Sequence, residues 1–347
     1  MLDFKKNIFH ILVFFLFISC VEETPEKKIS IRADSLRKEA GKSLQLSWYS
    51  LDSALFRSSE KNICEGKFYN SAYKKQVFDY IRTFLYNIKK DSVPCGEIIS
   101  FVSHRDMKDI YKEIDKKYPS SFRKELIGEF SEGLIRYKAC FPLLSVPKKI
   151  VFVHSGFNYA FFHSGDAMLC GLDMYLGRYH TFYDYAGIPR YKSRVMDPVY
   201  LPVDFIKACW LVQLDTATQK NNLLDYMVHY GKMYYLLHLC FPEKHDSILF
   251  GYTTQQMNYL KKYQSKVWKF LSEKNKLFDH NMKTIHDYTS EGPFTTSISK
   301  ECPPRIAHWF GYQIMLAFQE KHPELMPENI MKITDAKKIL FESKYKP

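Results

Sequence analysis

The run from Pro303 to Phe318, Pro-Pro-Arg-Ile-Ala-His-Trp-Phe-Gly-Tyr-Gln-Ile-Met-Leu-Ala-Phe, commits the chain to a packed helical core. Ile306, Phe310, Ile314 and Phe318 recur every four residues and so share one face of a helix. Pro303 and Pro304 suit its start, where a missing N–H costs nothing. Gly311 is unfavourable inside a helix by about 1 kcal/mol, which implies that another backbone crosses closely there. Arg305 falls in the first turn, where a cation opposes the helix dipole, so a carboxylate partner or a specific loop to hold is expected. Trp309 and the phenylalanines at this spacing read first as core. Arg305 and Trp309 are also carried as candidate contacts for a binding partner.

The rest of the chain can support such a core. It has 347 residues, 46% hydrophobic and 16% aromatic, enough for one sizeable domain or two small ones. The formal charge of +12 comes mostly from lysines spread along the chain, in short runs such as Lys27-Lys28, Lys116-Lys117 and Lys261-Lys262. A nucleic-acid binder concentrates its charge in a stripe with a recognisable motif, and neither feature is present. Attraction to an anionic membrane surface suits this charge better.

The first twenty residues say where the protein goes. Lys5 and Lys6 precede an apolar run, Ile8–Ile18, interrupted only by His10, and Phe17-Ile18-Ser19-Cys20 follows. This is the pattern of a signal peptide, and the run is too short to cross a bilayer core of about 30 Å. A small residue followed at once by Cys resembles a bacterial lipobox. On that reading residues 1–19 are removed and Cys20 carries diacylglycerol on sulfur and an acyl group such as palmitate on nitrogen. An ordinary signal peptide or short anchor with an incidental Cys is the alternative. Residues 20–45 begin with a polar, proline-containing stretch and read as a flexible tether, leaving 46–347 as the folded domain. The acidic Glu22-Glu23 resembles export signals of surface lipoproteins in Bacteroidota. The expected location is the cell envelope, anchored to a membrane and facing the periplasm or the cell surface.

Seven cysteines remain beyond Cys20, and an odd number outside the cytoplasm leaves at least one unpaired thiol. Cys64 and Cys95 lie in polar turns flanking the same helix and are the disulfide candidate. Cys140, Cys170, Cys209 and Cys240 sit among apolar neighbours and read as buried thiols.

Periodicity gives a mostly helical α+β domain. Amphipathic helices are predicted over Tyr73–Lys89, Arg105–Lys117 and Ser120–Ala139. The period then changes to that of strands: Lys148–Val153, Tyr159–His163 and Ala167–Met174, for which a small antiparallel three-stranded meander is the economical arrangement. Asp173 closes the third strand as the polar group most suited to a cleft, or as a carboxylate that orients a loop. Gly177–Pro202 is long, broken by prolines and rich in aromatics, among them Tyr183, Tyr185 and Tyr191. A segment of this kind is functional or disordered, and its rings argue for order against the sheet, lining a groove. Further helices are predicted over Asp204–Leu214, Leu223–Phe241, from Thr253 with a Thr253/Gln256 capping box, and over Thr334–Tyr345.

Catalytic and metal-binding signatures are missing. No His-Glu-x-x-His, Cys-x-x-Cys, Gly-x-Ser-x-Gly, phosphate loop or dinucleotide fingerprint occurs. His154 and His163 flank a turn without a third ligand, and His229 and His238 are nine residues apart on one helix, which gives them no shared face. Neither a metal nor another cofactor is implied.

From Pro142 to the C-terminus the chain resembles the gliding motility-associated lipoprotein family GldB of Bacteroidota. The residues that carry this are Gly171-Leu172-Asp173-Met174-Tyr175-Leu176-Gly177 with Phe182-Tyr183, and Leu223-Leu224-Asp225-Tyr226-Met227 with Gly231-Lys232. Gly251-Tyr252-Thr253, Trp268, Gly292-Pro293-Phe294 and Trp309-x-Gly311 follow, then Asp335-Ala336 and Ser343-Lys344-Tyr345-Lys346-Pro347. The family is distantly similar to proteins of zincin-like fold, so the resemblance implies a degenerate, metallopeptidase-derived domain. A Glu directly before the Gly of the later helix could serve such relatives as a ligand, and Tyr230 stands there in this chain.

The resulting expectation is a non-enzymatic, lipid-anchored envelope protein. It would bind other proteins of a gliding or type IX secretion apparatus through Asp173, Tyr183, Tyr185, Tyr191, Arg305 and Trp309, with the membrane as its second partner. The rival is a zincin-like hydrolase or peptide-processing enzyme whose site involves Asp173, His154, His163 or His229. A surface lipoprotein that binds glycans through exposed tyrosines is a third reading.

Overall fold

The computed structural model describes residues 25–39, 44–85, 95–214 and 220–347. Cys20 and the signal segment lie outside them. The protein is α+β, a helical body with one small sheet. Its longer helices are α1 (Pro25–Glu39), α2 (Arg105–Lys117), α3 (Ser120–Cys140), α4 (Leu201–Gln213), α5 (Leu223–Cys240), α6 (Thr254–Glu273), α7 (Ile306–Lys321) and α8 (Ala336–Ser343). The strands are β1 (Ser47–Ser50), β2 (Lys149–Val153), β3 (Phe161–Ser164) and β4 (Ala167–Gly171).

The expected antiparallel meander is corrected. The sheet is mixed, in the order β1-β2-β4-β3, with β1, β2 and β4 parallel and only β3 antiparallel to β4. Burial explains the order. Ile150, Phe152, Met168 and Cys170 face the large helical core, whereas Val151, Val153 and Leu169 face a second, smaller core. Strands buried on both faces belong in the middle of a sheet. β3, whose His163 is exposed, takes the edge and returns to β4 through Gly165 at φ 62°. β1 was not anticipated, because Ser-Trp-Tyr-Ser is too short to show a period.

The smaller core is closed by the short helices Leu51–Phe56, Glu60–Cys64, Lys74–Tyr80 and Cys95–Ser103. Cys64 and Cys95 are disulfide-bonded, as their positions suggested, and pin two of these helices together. The helix predicted over Tyr73–Lys89 is seen as Lys74–Tyr80 continued by a wider π-turn, Ile81–Leu85, and its last residues are not among those described. Beside this core, Arg123 of α3 donates to both carboxylate oxygens of Asp52 at 2.8 Å each, and both side chains are buried.

The large core is built on α5 and α7, which pack along each other, with α3, α4 and α8 around them. Cys140, Cys170, Cys209, Cys240 and Cys302 are buried free thiols. α6 starts at the predicted Thr253/Gln256 capping box, and a second box, Asn222/Asp225, starts α5. α8 is capped by Asp335 rather than Thr334. Two short helices, Met282–Thr289 and Pro327–Lys332, were not anticipated.

Within the segment read as a tether, residues 25–39 are instead folded. α1 buries Ile29, Ala33 and Leu36, spaced four and three residues apart, against α3 and α5. That spacing is the apolar stripe of an amphipathic helix, masked in the sequence by the charges around it.

Candidate functional site

A cleft of about 470 Å³ opens where the aromatic segment meets the starts of α4 and α7. Residues from the 177–202 segment form much of its wall, including Tyr191, Lys192 and Arg194. That segment is ordered, with short helices at Thr181–Tyr185 and Arg190–Ser193. The opposite wall comes from Phe157 and Asn158, after β2, and from Tyr175, Asp204 and Arg305.

Asp173 sets the first wall. Its carboxylate is wholly buried and accepts hydrogen bonds from Ser155 N at 2.8 Å, Ser155 Oγ at 2.9 Å and Phe157 N at 2.6 Å. These bonds hold the turn in which Phe157 takes a left-handed φ of 60°. Asp173 therefore orients a loop and does not face the cleft. His154 lies beside it with Nδ1 3.8 Å from the carboxylate. Burial lowers the His154 pKa, and Nδ1 accepts from Gly156 N at 3.1 Å, so the ring is neutral.

Tyr183 anchors the second wall. It is fully buried, donates to Asp173 O at 3.0 Å and accepts from Leu176 N at 2.6 Å. With this ring inward, Tyr185 is left 85% exposed and Tyr191 lies in the cleft wall.

Arg305 forms the floor. It is not in the first helical turn but precedes it, in a left-handed conformation at φ 54° that costs a non-glycine residue about 1 kcal/mol or more. It holds a loop, one of the two roles expected of it, donating to Phe250 O at 2.7 Å and to Tyr234 Oη at 3.3 Å. Its Nε is buried and has no partner. Burial would lower its pKa, but Tyr234, Tyr252 and Glu291 outweigh this and raise it. Arg194 donates to the next carbonyl, Gly251 O, and burial lowers its pKa. Among the described residues, neither arginine has a carboxylate within salt-bridge distance.

Behind this floor, Asp204 accepts from Tyr175 Oη at 2.9 Å and from Lys207 Nζ at 3.1 Å. His308 is 5% exposed and stacks on Tyr230 with ring centroids 3.8 Å apart, and neither ring nitrogen has a partner. Burial, with Arg305, Lys207 and His229 nearby, drives its pKa well below 6.5, so it is neutral. Trp309 is buried in the core, stacked edge-on against Phe250 at 5.2 Å.

Of the six residues expected to contact a partner, Tyr191 and Arg305 line the cleft and Tyr185 stands free in solvent. Asp173, Tyr183 and Trp309 are buried supports. Sequence reasoning missed Lys192, Arg194, Asp204 and Lys207. The Asp204/Lys207 pair, one helical turn apart, was a readable signal. His154 and His163 do not converge, since one is buried and the other exposed. Among the described residues no group of three or more His, Cys, Asp or Glu is placed to hold a metal. Nor is any of their helices long and apolar enough to cross a membrane.

No curated protein and no solved structure matches the chain. A family model described as gliding motility protein GldB matches residues 34–347, which include the cleft, the sheet and both cores. The chain belongs to the GldB family of gliding motility-associated lipoproteins.

Proposed function

We propose that the protein is a lipid-anchored, non-enzymatic binding component of a gliding or secretion apparatus in the cell envelope, and that a protein partner docks in the cleft beneath residues 177–202. The observation that carries this is the construction of that segment. Its buried ring, Tyr183, is hydrogen-bonded to the backbone of Asp173 and Leu176, while Tyr185 is turned outward and Tyr191 lines the cleft. A long loop held rigid by its own aromatics is a binding surface with little ordering entropy to lose. Two carboxylates near it are committed elsewhere: Asp204 to Lys207 and Tyr175, and Asp173 to the backbone of Ser155 and Phe157.

Lipidation at Cys20 completes the reading. Four residues separate Cys20 from Pro25, the first of α1, and the five fully extended steps from one to the other span at most about 18 Å. The folded body would therefore sit close to the bilayer. Its basic character suits an anionic leaflet.

The test is crosslinking of the native lipoprotein in its membrane, with Cys20→Ala and Tyr191→Ala forms beside it. A stoichiometric envelope protein captured by the native form and lost from both variants is the expected result. Full function of the Cys20→Ala protein would sink the anchored reading. A stoichiometric bound metal with metal-dependent hydrolysis in the pure protein would instead establish the enzyme.

A further inference from the structure

The cleft continues into a second depression of about 720 Å³, with which it shares Tyr191, Arg194 and Gly292. Together they form one trough. Its far half is lined by the rings of Tyr259 and Tyr263 and by the side chains of Gln255 and Asn258, three residues apart on α6, while the amide of Gln256 beside them is taken up by Thr253 N and Pro293 O. The two amides of Gln255 and Asn258 can both donate to and accept from a peptide backbone, and rings beside them offer flat apolar contact. Such a lining suits a chain lying extended.

The charges are less balanced. Lys192, Arg194, Lys262, Lys300 and Arg305 line the trough, against the carboxylates of Asp204, Glu291 and Glu301. Asp204 is already neutralised by Lys207. Glu291 and Glu301 are exposed at the rim, where water screens them. The two arginines on the inner floor have their guanidinium groups fixed by backbone carbonyls, which orient but do not neutralise them. Arg305 also keeps a buried Nε–H with no acceptor. An unsatisfied buried donor leaves this guanidinium short of acceptors, and an anion beside the group would offset part of that cost. Phe157 and Arg305, both left-handed non-glycine residues, line the same cleft, and strain of this kind gathers at binding sites.

We propose that this trough binds an acidic segment of the partner protein in extended form, with one carboxylate seated against the guanidinium groups of Arg305 and Arg194. The inference rests on the docking role proposed for the cleft and names the chemistry that the cleft selects.

The experiment uses the full chain in detergent and a fluorescent ten-residue peptide of alternating Glu and Ala, with Gln replacing Glu in its control. The Glu peptide should bind at least about tenfold more tightly than the Gln peptide, since a charge-assisted hydrogen bond is worth about 1.5–3 kcal/mol. Its affinity should fall as salt rises from about 0.05 to 0.5 M. Lys192→Glu and Arg305→Lys should each weaken it about tenfold or more, because lysine cannot reproduce the planar fork. Lys192 is exposed and its replacement leaves the fold intact, so this variant decides the matter should Arg305→Lys fail to fold. Lys108→Glu makes the same charge change at an exposed residue of α2 that lines neither half of the trough, and should have no effect.

Equal weakening by Lys108→Glu would reduce the binding to general attraction and overturn the proposal. So would competition by inorganic phosphate or by an acidic oligosaccharide as effective as that by the unlabelled peptide. If Glu and Gln peptides bind alike while Tyr191→Ala still loses the membrane partner, the acidic chemistry is wrong and the docking role stands. If Tyr191→Ala keeps its partner while the Glu peptide binds as described, the docking role is wrong.

Discussion

Gly231 of α5 and Gly311 of α7 face each other where the two helices cross. A Cβ placed on Gly311 would stand 3.1 Å from the Gly231 Cα and would overlap the carbonyl oxygen of Met227, while one on Gly231 would overlap the Gly311 backbone. The helices therefore meet backbone to backbone, with no flexible side chain between them to give way. Gly311→Ala and Gly231→Ala should each cost at least the roughly 1–3 kcal/mol of core overpacking, and thermal unfolding should show a large loss of Tm or no cooperative transition. Gly128→Ala is the contrast. Gly128 sits exposed inside α3 with nothing within 4 Å of the added carbon, so the substitution should stabilise by about 0.5–1 kcal/mol.

That crossing also shows how far the sequence could be read. A glycine in the middle of an aromatic helix announces a close approach, because nothing local explains it. The partner could not be read, since Gly231 lies eighty positions away on another apolar helix. The parallel pairing of β2 with β4 was hidden for a related reason: strands buried on both faces carry no alternation to set their neighbours. The cleft was half legible. Tyr191 and Arg305 stood out through composition and position, whereas Lys192 and Arg194 are ordinary surface residues until the 177–202 segment folds over the start of α7.

The thiols provide a chemical count of the fold. Among the described residues five cysteines are free and buried, and burial pushes Cys140, Cys209 and Cys302 up to about 12. The native protein should therefore be inert to a thiol reagent at neutral pH. After denaturation without reductant, five thiols should react if the Cys20 sulfur carries diacylglycerol and six if it is free, and reduction should add the two of Cys64 and Cys95. Seven or more before reduction would mean that the disulfide is absent. Replacing both Cys64 and Cys95 by Ser should destabilise by about 3–4 kcal/mol, given their separation of 31 residues.

Lys232 gives stability an unusual pH dependence. Its Nζ donates to the carbonyls of Met331 and Ile333, and burial lowers its pKa from 10.5 to about 8. The folded protein thus releases this proton near pH 8, while the unfolded chain keeps it until about 10.5. Between those values the unfolded state binds more protons, so stability should rise with pH, by up to about 3 kcal/mol in all. The buried tyrosines oppose it at the upper end. Burial raises Tyr80 and Tyr118 well above their ordinary 10.0, so above that pH the unfolded chain ionises first and stability falls. Denaturant titrations should find a maximum between about pH 9 and 10, and Lys232→Met should remove the rise below it.

Two buried carboxylates should separate stability from binding. Asp52 is held bidentately by Arg123 at the edge of the smaller core, away from the cleft. Asp52→Ala leaves that guanidinium buried and unpaired, a loss of about 3–5 kcal/mol, and should lower Tm without changing affinity for a cleft ligand once the protein is folded. Asp173→Asn differs. The amide still fills the space, but its nitrogen cannot accept, so one of the donors on Ser155 and Phe157 loses its bond at a cost of about 1–3 kcal/mol. The turn holding Phe157 at φ 60° is then underdetermined, and with it one wall of the cleft. Asp173→Asn should therefore lose affinity for the acidic peptide beyond what its loss of stability accounts for. Calorimetric binding and unfolding on both variants would show it, and unchanged affinity in folded Asp173→Asn would place Asp173 in the scaffold alone.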